Sequence, residues 1–174
     1  MDTGAKLLWV LAALCVAAVS AGKGQVKRQR PQFCDPGWFG VDENRDGKLD
    51  SCVRALFGQY QPSYFSAKLA CHRAGGNLVS IKSAMKQKTI TSALPMSMKY
   101  WIGLQQPYSG KDALWVWEDA SEAKYTAWSK NQPGEDLPHE DCGLMLPPNG
   151  KWHDGVCCCH KNVVPVCEKK PRRA

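Results

Sequence analysis

Trp128-Ser129-Lys130-Asn131-Gln132-Pro133-Gly134-Glu135-Asp136-Leu137-Pro138-His139-Glu140-Asp141-Cys142 is followed, after a short apolar run, by Lys151-Trp152-His153-Asp154-Gly155. Asn131, Gln132, Glu135, Asp136, Glu140, Asp141 and Asp154 crowd oxygen-bearing side chains into this stretch, while Pro133 and Pro138 stiffen it and Cys142 anchors its end. Carboxylates and carboxamides on a constrained loop are what a hard cation such as calcium needs, at about six to eight oxygen ligands. A proline after Gln132 also allows a cis peptide at small cost, turning neighbouring carbonyls toward one centre.

Working outward, the residues before this stretch read as scaffold. Tyr100-Trp101-Ile102-Gly103-Leu104 and Leu114-Trp115-Val116-Trp117 are aromatic, β-branched strands around a turn rich in Gly, Pro and Ser. The tryptophans in this register belong to a core rather than to a sugar-stacking surface. Ser63 suits the N-cap of a helix with Tyr64, Ala67, Cys71 and Ala74 on one stripe, closed by Gly75-Gly76. Ser83 opens a second helix with Ile90, Ala93 and Leu94 inward, ended by Pro95. Val53–Phe57 and Asn77–Ile81 read as strands, and His72 falls on a helix surface. Two helices followed by short strands and long loops define an α+β domain.

The chain opens with Lys6 and an apolar run from Leu7 to Val19, then small residues to Ala21, which describes a secretory signal peptide over 1–21. The run is too short to span a bilayer, and no later stretch approaches that length, so a secreted product without a membrane span is expected. Removing Cys15 with the signal leaves eight of the nine cysteines, an even number that suits disulfides in an oxidising compartment. Neither G-x-S-x-G nor H-E-x-x-H occurs, so nothing points to an enzyme. Of the net charge of +7, the segment Phe33–Cys167 holds none, with 14 Lys and Arg against 14 Asp and Glu. The excess lies in a basic N-terminal arm, 22–33, and a basic tail, 169–174, both expected as solvated ends. A nucleic-acid role does not suit an exported chain with a neutral domain.

Asp42-Glu43-Asn44-Arg45-Asp46-Gly47-Lys48-Leu49-Asp50 places oxygen side chains at loop positions 1, 3, 5 and 9 with glycine at 6. That spacing is the front of an EF-hand-type calcium loop, with Asp42, Asn44, Asp46 and Asp50 as candidate ligands. Position 12 is Val53 instead of the bidentate glutamate, so an EF-hand proper is excluded. The segment also resembles the D-x-N-x-D-G-x-x-D-x-C loops of thrombospondin type 3 repeats.

Taken in order, Trp101-Ile102-Gly103-Leu104, Gln132-Pro133-Gly134, Glu140-Asp141-Cys142, Trp152-His153-Asp154 and the late Cys167 resemble the landmarks of the C-type lectin-like family. The resemblance covers 34–168 and implies a C-type lectin-like fold, with 42–50 as a calcium-loop-like insert. It implies disulfides Cys34–Cys52 and Cys71–Cys167, and pairs Cys142 with one of Cys157, Cys158 or Cys159. Cys157 fits the spacing from Trp152, and Cys159 the spacing to Cys167. The two left over would form a vicinal bridge or link a disulfide-bonded homodimer.

The resemblance further implies a calcium ion on Gln132, Glu140 and Asp154, the same side chains also binding sugar hydroxyls. An auxiliary ion would use Asp112, Glu135, Glu140 and Asp141. Gly134 stands where an Asn or Asp ligand belongs and His153 where an Asn does, and imidazole is a poor calcium ligand, so both metal and sugar would be held weakly. A triplet led by Gln leans toward galactose-type ligands. The implied function is therefore a secreted, calcium-dependent glycan-binding lectin of low affinity. The alternative is a lectin-like protein without sugar binding that contacts extracellular protein, matrix or mineral through acidic loops and basic ends.

Overall fold

The computed structural model describes residues 30–107, 114–134 and 140–174. The signal region, most of the basic arm, Asp112, Glu135 and Asp136 lie outside the described residues. In chain order, β1 (Gln32–Phe33), β2 (Phe39–Val41) and β3 (Ser51–Ala55) precede α1 (Tyr64–Arg73), β4 (Asn77–Leu78) and α2 (Ala84–Ala93). Then come β5 (Lys99–Gln105), β6 (Val116–Trp117), β7 (Cys142–Leu146), β8 (Lys151–Gly155), β9 (Val163–Lys169) and β10 (Arg172–Arg173). This is the expected α+β, C-type lectin-like fold.

Both helices begin where a serine can cap them. Ser63 Oγ accepts from Ser66 N at 3.1 Å while Ser66 Oγ accepts from Ser63 N at 3.2 Å, a reciprocal box that satisfies two otherwise orphaned amides of α1. Ser83 Oγ accepts from Lys86 N at 3.1 Å at the start of α2. α1 buries Tyr64, Ala67, Ala70 and Cys71, and the Cys71–Cys167 bridge staples it to β9 across 96 residues. Gly75, at φ +82°, ends the helix in the left-handed region. On α2 the inward residues are Lys86 and Ile90 with the capping Leu94, whereas Ala93 is exposed. Leu94 leaves the helical conformation at ψ 146°, which turns it inward independently of the helical stripe. Lys86 is buried because its Nζ meets Glu168 at 2.5 Å and Glu43 at 3.8 Å.

The main sheet runs β2-β3-β9-β5-β7-β8 among the described residues, with β4 pairing β9 and β6 pairing β5. β5 and β9 are parallel and the other pairs antiparallel. Gly103 lets β5 pass against β4: a Cβ there would lie 2.8 Å from Leu78 O. Trp101, Trp117 and Trp152 are fully buried, as the strand register predicts. Each such ring removes about 150–250 Å² from water, worth about 5 kcal/mol by area. The chain ends differ from expectation, because β1 and β10 pair with each other, Gln32 opposite Arg173 and Phe33 opposite Arg172. Complementary extended segments satisfy each other's backbone groups there, which composition does not reveal.

Candidate functional site: an oxygen-lined loop on a tryptophan base

The site is built from Trp152 upward. Its ring packs edge to face against Trp117 (5.4 Å), Tyr125 (5.8 Å) and Trp128 (5.8 Å), and Trp128 in turn meets Trp115 at 4.9 Å. Aromatic quadrupoles favour this edge-to-face arrangement, so the cluster sets ring orientation as well as volume. Trp152 Nε1 donates to Gln87 Oε1 at 2.9 Å, and Gln87 Nε2 donates to Gly150 O at 2.9 Å. Gln87 therefore fixes β8 from α2, a role that no local pattern signals across 65 residues. Burial raises the Tyr125 phenol pKa, keeping it neutral in this cluster.

Backbone hydrogen bonds then set the path of the loop. Trp152 N donates to Ala127 O at 3.0 Å and Ser129 N to Trp152 O at 2.9 Å, laying 127–129 beside β8. Gln132 N donates to Ser129 O at 3.2 Å, and the Gln132–Pro133 peptide is cis. Gln132 Oε1 accepts from Asp154 N at 3.0 Å, so two residues 22 apart in sequence meet. Asp154 is buried on β8, while Glu140 and Asp141 are half-buried just before β7. Asp141 O accepts from Gln106 N at 2.8 Å, tying that entrance to the end of β5.

Gln132, Glu140 and Asp154 carry only oxygen donors, the chemistry a calcium ion requires. The set is short. Gly134 has no side chain to offer, and Asp112 and Glu135 lie outside the described residues. Among the described residues no three His, Cys, Asp or Glu side chains converge on one point. A calcium held here would complete its shell with backbone, water or ligand oxygens.

The 42–50 segment uses its oxygens differently. Asp42 Oδ2 accepts from Gly47 N at 2.8 Å and Asp42 Oδ1 from Asp46 N at 3.2 Å. Asn44 Oδ1 also accepts from Asp46 N at 3.2 Å, Asp46 Oδ1 from Lys48 N at 2.9 Å, and Asp50 Oδ2 from Glu43 N at 2.7 Å. The bond from the Lys48 amide holds the Asp46 carboxyl below the usual aspartate range. These are turn-stabilising bonds between acidic side chains and their own backbone.

The bridges Cys34–Cys52, Cys71–Cys167 and Cys142–Cys157 are formed. Cys157 is the partner of Cys142 because β7 and β8 bring Cys142 opposite Gly155, two residues before it. Cys158 and Cys159 are exposed and unbridged, with sulfurs 2.6 Å apart. His72, on the surface of α1 as expected, meets Glu118 Oε1 at 2.7 Å.

With that geometry established, comparison with known proteins defines the class. The Lectin C-type domain family model matches residues 60–169, and the chain belongs to this family. Among curated relatives it is similar to the galactose-specific lectin nattectin of Thalassophryne nattereri, 32% identical over 159 residues, covering 86% of this chain and 91% of nattectin. It is 26% identical over 148 residues to C-type lectin domain family 4 member G of Mus musculus, spanning 83% of this chain but only 46% of that longer protein. Among solved structures it resembles the carbohydrate-recognition domain of the mouse scavenger receptor C-type lectin, with TM-score 0.66 and 26% identity over 80% of this chain and all of that one. The chain is thus a C-type lectin domain whose relatives include carbohydrate-binding lectins. No helix among the described residues is long and apolar enough to cross a membrane.

Proposed function

We propose that this chain is a secreted, calcium-dependent lectin that binds galactose-type glycans weakly, through a site on Gln132, Glu140 and Asp154. The observation that carries this reading is the 3.0 Å bond from the Asp154 backbone N to Gln132 Oε1, which holds the Gln132 carboxamide against the β8 backbone at Asp154. Calcium, when bound, supplies a positive centre that two sugar hydroxyls can join as ligands. In this role Gln132 supplies a carboxamide oxygen, and Asp154 and Glu140 supply the charge. The missing side chain at Gly134 predicts a calcium Kd toward the weak end of extracellular modules, about 0.1–1 mM. The Gln-led triplet and the likeness to a galactose-specific lectin both support galactose as the sugar class.

The test is affinity chromatography of the secreted protein on galactose- and mannose-agarose in millimolar calcium, followed by EDTA. Retention on galactose that EDTA releases, and that Asp154→Asn abolishes, supports the proposal. Flow-through of the folded protein overturns it and favours contact with protein, matrix or mineral instead. Cys158 and Cys159 are read as bridging each other in preference to a second chain, because their sulfurs already lie 2.6 Å apart. A covalent dimer on non-reducing electrophoresis that Cys158→Ser/Cys159→Ser converts to monomer overturns that part.

A further inference from the structure

We propose that the paired chain ends form a second binding site, independent of calcium, for a sulfated polysaccharide. A groove of about 530 Å³ is lined by Arg30, Gln32, Lys48 and Arg173, bringing cations from both ends and from the 42–50 segment together. Three contacts build it. Gln32 pairs with Arg173 across β1 and β10, Ala174 N donates to Pro31 O at 3.1 Å, and Leu49 N donates to Gln32 Oε1 at 3.0 Å. The last bond docks the acidic segment against β1 and so delivers Lys48 to the groove.

Among the described residues the three lining cations outnumber the side-chain carboxylates that reach them. Asp35 takes up the neighbouring cations, with Lys169 Nζ at 2.5 Å and Arg172 Nε at 2.9 Å. Among the described residues one side-chain carboxylate reaches the lining cations, the exposed Asp46, 3.4 Å from Lys48 Nζ. Arg30 Nη1 donates to Ala174 O at 3.4 Å. Two guanidinium forks and an ammonium in one groove suit oxyanions, which they meet with paired hydrogen bonds. A linear polyanion joining them releases its condensed counterions, an entropic gain.

The lining also selects the kind of polyanion. A membrane surface needs apolar side chains beside the basic ones, and a single-stranded nucleic acid needs aromatic faces for its bases. Among the described residues the lining presents neither, being Arg30, Gln32, Lys48 and Arg173. The Gln32 carboxamide is suited to a sugar hydroxyl or amide. The neutral charge of Phe33–Cys167 makes the attraction local to this end of the molecule.

The experiment applies the full-length secreted protein to heparin-agarose in EDTA, which keeps the outcome separate from the galactose site. Expected are retention at physiological salt, elution by added NaCl, and loss of retention on fully desulfated heparin. R30A/K48A/R173A should elute at lower salt, with log K against log salt shallower by about one per cation removed. The charge-matched control K88A/K130A/K161A, at exposed lysines, should elute as the parent does. Arg173→Gln, a single exposed end residue, should shift elution in the same direction by about a third as much if the triple variant does not fold. Flow-through of the parent protein, an equal shift in the control, or equal retention on desulfated heparin overturns the proposal. So does tighter binding to phosphatidylserine vesicles or to a single-stranded oligonucleotide than to heparin.

Discussion

Residues 42–50 and residues 132–154 are both acidic, both proposed from sequence as calcium ligands, and they end up chemically unlike. In the first, Asp42, Asn44, Asp46 and Asp50 all accept hydrogen bonds from amides of their own segment. In the second, Gln132 accepts from the distant Asp154 amide, and Trp152 belongs to a cluster of five aromatic rings. Asp42, Asn44, Asp46 and Asp50 thus brace their own turn, whereas the Gln132 carboxamide braces a strand 22 residues away. Spacing alone does not separate the two cases.

The comparison can be broken most forcibly at Trp152. Trp152→Ala should cost about 3–5 kcal/mol by urea denaturation and remove the calcium response, since the fully buried ring centres the aromatic cluster beside Gln132 and Asp154. Leu49→Ala, at a half-buried position under the other segment, should cost less, and an equal loss would erase the distinction. Next in size is calcium itself. At ten times its Kd the ion should stabilise the fold by about 1.4 kcal/mol in thermal melts with and without EDTA. Asp154→Asn should lose that increment and Asp46→Asn should keep it, and the reverse result would invert the comparison.

Asp42→Ala should cost about 1 kcal/mol with calcium stabilisation unchanged, because it removes the acceptor for Asp46 N and Gly47 N. Smallest is a pH effect. The folded Asp46 carboxyl titrates below its unfolded value, so its contribution is present above the ordinary aspartate range and is lost as pH falls through the folded value. Asp46→Asn should flatten that acid limb slightly, and faster amide exchange at Lys48 below about pH 4 should report it.

Much of the scaffold was legible in the chain. Ser63 and Ser83 cap the helices where a serine precedes an apolar stripe, and the Trp101-Ile102-Gly103-Leu104 strand is buried as its pattern requires. Ala93 misled, because a helical stripe does not anticipate where the helix gives out at Leu94. The bridges Cys34–Cys52 and Cys71–Cys167 follow from resemblance, while three adjacent cysteines left the partner of Cys142 open until strand pairing chose Cys157. Gln87 had no signal, since a polar residue on a half-buried helix looks the same whether it meets water or a tryptophan 65 residues away.

The capping residues and the apolar periods determined two helices and buried strands, because those features act over a few residues at a time, while the order of landmarks carried the resemblance to the C-type lectin-like family. Tertiary structure alone decided which acidic side chains turn on their own amides, which aromatic rings cluster around Trp152, and that two basic ends pair into one groove. Hydrogen bonds and charge depend on distances between residues far apart in the chain, and only the folded path sets those distances.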